Sequence, residues 1–140
     1  MTFTSPTDDI IVQNGISPYS FQASGTIKAG QAVQITDTMK VEAPPETRGS
    51  DDNFRIIGVA AYDVTDDEYV AVYGPGNIVR VIISGASNCV AGEILIPSVH
   101  GKFLNKVTSA SECISGIAAI ALETQATNNG TARVLLIDKT

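Results

Sequence analysis

Tryptophan is absent from this 140-residue chain, histidine occurs once, and cysteine and methionine occur twice each. Each shortage removes a class of chemistry. The one histidine, His100, stands beside Gly101 in a predicted hairpin turn, so Ser/His or Cys/His catalysis would rest on a single loop residue with no acid to orient it. Cys89 and Cys113 form neither a CxxC pair nor a multi-ligand zinc spacing and are embedded in apolar or small residues, the pattern of buried free thiols. Phosphate-cradle and metalloprotease signatures (GxGxxG, GxxxxGK[ST], HExxH) are missing too. The acidic stretch Asp63, Asp66, Asp67 and Glu68 has oxygen ligands enough for calcium, but it lacks the glycine and the bidentate glutamate spacing of an EF-hand and reads as solvated turn charge. No catalytic residue, metal ligand or cofactor is expected.

Positive charge is also in short supply. A formal net charge of −6 opposes the phosphate neutralisation that drives nucleic-acid binding, so no nucleic-acid partner is expected. No apolar run approaches the roughly 18 residues that cross a bilayer, and no membrane partner is expected. The opening MTFTSPTDD has neither the basic start nor the apolar stretch of a secretory signal, nor the Arg-rich character of a transit peptide.

What is abundant is punctuation. Twelve glycines and six prolines divide short Val/Ile/Ala runs that lack helical spacing, an all-β pattern. The runs predict strands over 32–36, 39–42, 55–64, 69–73, 78–84, 93–96, 102–105, 114–122 and 132–137. Gly74-Pro75-Gly76-Asn77 and Asn128-Asn129-Gly130 supply the backbone angles of tight reversals between antiparallel strands. Asn129-Gly130-Thr131 matches a glycosylation acceptor but is better read as part of that turn. The best helical stretch, 108–113, is short and serine-rich, good for one or two turns at most.

Phrases recur in the two halves. GTIKAGQAVQI, IGVAA, a turn at Gly74 and VRVII follow one another from Gly25 to Ile83. SNCVAGEILIP, SGIAA, a turn at Asn129 and ARVLL follow in the same order from Ser87 to Leu136. This predicts two pseudo-equivalent halves, with Gly58 matching Gly116 and Arg80 matching Arg133 in the closing strands. The Ala-Gly-Gln/Glu phrase is expected to be a tight turn in which glycine takes a conformation closed to side chains. The small residues of Gly58-Val59-Ala60-Ala61 and Gly116-Ile117-Ala118-Ala119 allow close backbone approach at the centre of a small barrel. A polar insert at 43–53 lengthens the first half and has too little apolar content to offset the entropy of ordering it.

Ahead of the first repeat, residues 1–24 carry Phe3, Ile10, Ile11, Val12, Tyr19 and Phe21 with no counterpart in the second half. They are expected to form an N-terminal arm on a single β-barrel domain, 25–140, the apolar side chains covering a surface of the same chain or of another.

The order of AGQAVQI, IGVAAYDV and VRVII, echoed by VAGEILI, SGIAAIALE and ARVLLI, resembles the capsid cement, or head decoration, proteins of tailed bacteriophages over about residues 25–137. The resemblance implies a β-barrel or β-tulip-like domain, no catalysis, and residence on the outer surface of the virion capsid after synthesis in the host cytoplasm. It implies a homotrimer that bridges major capsid protein subunits, and the apolar residues of the arm, Phe3, Ile10, Ile11, Val12, Tyr19 and Phe21, are the expected contact set. The alternative from a different class is a β-barrel module that recognises glycans or host surfaces, against which the missing tryptophan counts.

Overall fold

The computed structural model describes residues 11–13, 17–44, 56–84, 89–97, 99–104, 116–127 and 129–138. The helical stretch 108–113, Cys113, Phe3, Ile10 and most of the polar insert lie outside them. Among the described residues, eleven strands and one 3₁₀ stretch (Val99–Gly101) follow in order. These are β1 (Ile11–Gln13), β2 (Tyr19–Gln22), β3 (Ala32–Ile35), β4 (Val41–Glu42), β5 (Ile56–Ala60), β6 (Tyr69–Tyr73), β7 (Ile78–Ile82), β8 (Ile94–Pro97), β9 (Phe103–Leu104), β10 (Ile117–Ala121) and β11 (Thr131–Asp138).

They form two antiparallel sheets. One runs β2-β6-β5-β3-β4 and the other β1-β7-β11-β10-β8-β9; each has two ends, and the described strands close no barrel. Leaving β1 aside, both sheets are wound alike, the first strand of each set pairing with the fifth, which pairs with the fourth, then the second and the third. Irregular contacts repeat as well. Ala23 bridges Val41 in parallel as Ile83 bridges Phe103, and Ile27 bridges Val64 as Cys89 bridges Gln125.

The turn opening each set shows why Ala-Gly-Gln/Glu is written twice. Gly30 (φ 88°) and Gly92 (φ 93°) take the left-handed conformation. The side chain three residues after the turn begins reaches back, Gln31 Oε1 accepting from the Lys28 amide and Glu93 Oε1 from the Val90 amide, both at 2.8 Å. An amide or carboxyl of that length closes the turn; alanine there would leave the amide to solvent.

Two of the equivalences expected from the sequence do not hold in the fold. Val79–Ile83 and Ala132–Leu136 do not close separate halves: β7 and β11 are adjacent, with Arg80 directly opposite Arg133. The two strands look alike in sequence because alternate residues of both, Val79, Val81, Ala132, Val134 and Leu136, line one core. Gly58 and Gly116 do different jobs. Gly58 lies inside β5, where a Cβ would strike the Tyr73 carbonyl and Val72, while Gly116 (φ 118°) precedes β10 and abuts the Ile56 carbonyl.

The core sits in two places. Between the sheets, Ala32, Ile56 and Val59 of the first pack with Val79, Val81, Leu95, Phe103, Val134 and Leu136 of the second. On the far face of the first sheet, Val33, Val70 and Val72 pack with Ala23, Ile27, Val41 and Val64, with Phe21 and Ile57 half-buried at the margin.

Candidate interaction surface

The sequence places aromatic side chains at alternate positions of β2, and alternation puts Tyr19 and Phe21 on one face. They lie directly across from Val72 and Val70 of β6. Phe21 leans on the outer core, whereas Tyr19 is 74% exposed, and the two rings meet tilted by 54° at 6.4 Å between centroids. A groove of about 480 Å³ opens there, lined almost wholly by carbon of Ser17, Tyr19, Phe21, Ile57, Val72, Gly74 and Pro75.

The end wall of the groove is held by the Gly74–Asn77 turn. Asn77 is fully buried and its Nδ2 donates to the Gly74 carbonyl at 3.0 Å. The Gly76 amide donates to the Leu136 carbonyl and the Leu136 amide to the Asn77 carbonyl, which staples the turn to β11 of the other sheet. A buried side-chain amide of this kind meets its hydrogen bond within the turn itself, which fixes the shape of the wall.

Of the expected contact residues, Tyr19 and Phe21 thus border one groove. Ile11 and Val12 lie elsewhere, in β1, which pairs with β7 at the edge of the second sheet. On that sheet's outer face Arg80 and Arg133 converge on Glu123, Arg133 Nε donating to Oε2 at 3.0 Å with Arg80 at 3.9 Å from Oε1. Next to them runs a row that sequence reading missed: Ile94, Ile120, Leu135 and Ile78 stand opposite one another across β8, β10, β11 and β7. Ile94 is 61% exposed and the other three are half-buried. Strand alternation was the available signal, since Arg80 and Arg133 mark the outward positions and Ile78 and Leu135 share their parity.

The acidic stretch is structural. Asp63 Oδ1 accepts from the Ala29 amide and Asp66 Oδ1 from the Gly25 amide, each at 2.8 Å, and Asp67 pairs with Lys40. Glu68 Oε1 takes the Thr65 amide at 2.7 Å and its hydroxyl at 2.9 Å. Among the described residues no three His, Cys, Asp or Glu are grouped to hold a metal ion. His100 is an exposed turn residue (φ 59°) whose backbone carbonyl receives Gln31 Nε2 and whose amide donates to the Pro44 carbonyl. Burial pushes the Cys89 thiol above its ordinary value, which disfavours the thiolate.

The backbone and side-chain hydrogen bonds from Thr65 hold Glu68 below the ordinary glutamate value of 4.5. A depressed carboxyl contributes stability that is present above the unfolded value and is lost as pH falls through the folded one. Amide exchange at Thr65 is therefore expected to accelerate as pH drops from about 5 toward 3, beyond its intrinsic pH dependence. Glu68→Gln should remove that extra acid sensitivity; an unchanged profile would assign the effect elsewhere.

No family model and no curated protein matches this chain. A solved structure does: the chain is similar to the base of the head fiber protein gp8.5 of bacteriophage phi29, with a TM-score of 0.56 and 16% identity, covering 85% of this chain and 92% of that one. At that identity the likeness is one of fold.

Proposed function

We propose that this chain is a structural protein of a bacteriophage head, a decoration protein that binds the outer surface of the shell and bridges major capsid protein subunits as a homotrimer. The observation that carries the reading is a fold shared over nearly the full length of both chains with the base of a phage head fiber. The repeat phrases that resemble the capsid cement family point the same way, and the matched winding of the two sheets is read here as a duplicated unit. Phe3, Ile10, Ile11, Val12, Tyr19 and Phe21 are its proposed contacts with shell or sister subunit, the last two through the apolar groove.

Such a protein needs no catalysis. Binding to the assembled shell and not to its parts stabilises the shell by linkage, about 2.7 kcal/mol per site when free protein is at a hundred times its dissociation constant. Over a lattice of sites the sum resists the pressure of packaged DNA. Empty expanded heads mixed with the purified chain should therefore rupture at a higher temperature than bare heads. Equal rupture temperatures with the chain in excess would refute the proposal.

A further inference from the structure

The two sheets of this chain stack in one direction only, which leaves the outer face of the second sheet and the Tyr19–Phe21 end of the first sheet's far face open among the described residues. In the first sheet, Ala32, Val59 and Tyr73 form a row across β3, β5 and β6. This row presses on the face of the second sheet that carries Val79, Val81 and Val134. By the shared winding order, β3, β5 and β6 correspond to β8, β10 and β11, so the matching row of the second sheet is Ile94, Ile120 and Leu135, extended by Ile78. That row faces solvent among the described residues. By the same correspondence β2 matches β7 and β6 matches β11, so the first sheet's counterpart of Val79, Val81 and Val134 is Tyr19, Phe21 and Val72, which border the open groove.

We infer that copies of this chain assemble head to tail through these faces, the Ile94-Ile120-Leu135-Ile78 row of one copy seating on the Tyr19-Phe21 groove of the next. The occupant is a second copy because the molecule already contains the contact once: the same row position rests on the same sheet face within each chain. The row and the groove are both apolar, and exposed apolar surface of this kind is the usual mark of an association surface. The second row is bulkier than its internal counterpart at two positions, Ile94 and Ile120 standing where the first has Ala32 and Val59, and the groove of about 480 Å³ offers the room. Such a contact is heterologous, so it closes into a ring when its rotation divides the circle. This identifies the faces behind the self-association proposed above, and it is independent of what the shell is.

The test uses the full chain without heads. At about 100 μM, where a micromolar contact saturates, light scattering after gel filtration should report one closed oligomer. Tyr19→Asp and Ile94→Asp, both at exposed positions, should each give a folded monomer by circular dichroism. An equimolar mixture of the two should give a dimer and nothing larger, since each partner retains one sound face and the sound faces are complementary. Tyr19→Ser and Ile94→Ser serve if either aspartate variant misfolds. A monomeric parent, variants that stay oligomeric, or a mixture that stays monomeric would overturn the inference. A chain that assembles in this way and still ignores heads would sink the head reading alone.

Discussion

Gly116→Ala is expected to lower the melting temperature by more than 10 °C, and Gly116→Val to abolish cooperative folding. Gly116 sits at φ 118°, where a side chain is strained whatever the space. Such strain costs about 1–3 kcal/mol. Its Cβ would also come within 3.1 Å of the Ile56 carbonyl carbon and nitrogen, and closer still to the oxygen. These are backbone atoms of a residue 1% exposed at the junction between the sheets, so they cannot turn aside as a side-chain tip can. Relief requires β10 and β5 to part, which uncovers Ile56 and Ile117 together. The combined loss is on the order of 4 kcal/mol, at about 3 °C per kcal/mol for a chain of this size.

Gly92→Ala separates the two contributions. Gly92 has φ 93° but nothing within 4 Å of its Cβ. It should register the conformational strain alone, a shift of a few degrees. Thermal melts of the two variants side by side check the argument. Equal shifts would mean that the close approach of the sheets at Ile56 is not what Gly116 serves.

Tyr19→Asp should all but remove the protection of heads from heat. The side chain is 74% exposed, so the fold is indifferent to the change, while a charge in the groove disrupts any apolar seat. An oligomer that touches several shell sites gains about 10²-fold or more in avidity over one of its members. Losing a hundredfold takes a site from saturation at a hundred times the dissociation constant to half occupancy. Its linkage stabilisation then falls from about 2.7 to about 0.4 kcal/mol. Tyr69→Asp is the matched control: it is also an exposed tyrosine on the first sheet, 63% exposed, but opposite Gln22 and so on the other side of the strand pair from the groove. Rupture temperatures of heads incubated with each variant decide the matter. If both tyrosines behave alike, the groove has no part in binding.

Much of the strand content was legible in residue type. Tyr69–Tyr73 alternates exposed and buried positions and was bounded to the residue, because acidic turn formers precede it and Gly74-Pro75 follows. Residues 39–42 predict a strand, but Met39 is in a turn at φ 64°, where the Thr36 hydroxyl caps the Thr38 and Lys40 amides. Apolar character outvoted the Thr-Asp-Thr signal just before it. The long run 55–64 yields only Ile56–Ala60, since beyond Ala60 the chain bends to let Asp63 reach the Ala29 amide.

The repeat was legible in its existence and misread in its alignment. Ala-Gly-Gln/Glu is a reliable landmark because a specific turn requires its glycine and its Gln or Glu. Gly-Val/Ile-Ala-Ala is not, because small residues recur wherever backbones approach and nothing in them fixes register. The cross-strand partners do fix it. Val33 lies opposite Gly58 and Leu95 opposite Ala119, so Gly58 corresponds to Ala119 and not to Gly116. Tyr19 and Phe21, and by strand alternation the outward side of Ile78 and Leu135, were legible one by one; that they join a groove and a row was not, since each is assembled from strands far apart in sequence whose pairing no local pattern states.

The central claim is that this chain decorates the outside of a phage head, and imaging it there is the most direct test. Purified protein mixed with empty expanded heads and examined by electron cryomicroscopy should show density at regular positions on the outer surface, saturating at a fixed number of copies, with neighbouring shell subunits spanned by each oligomer. Heads that stay bare in the presence of excess folded chain, or density confined to their interior, would contradict it.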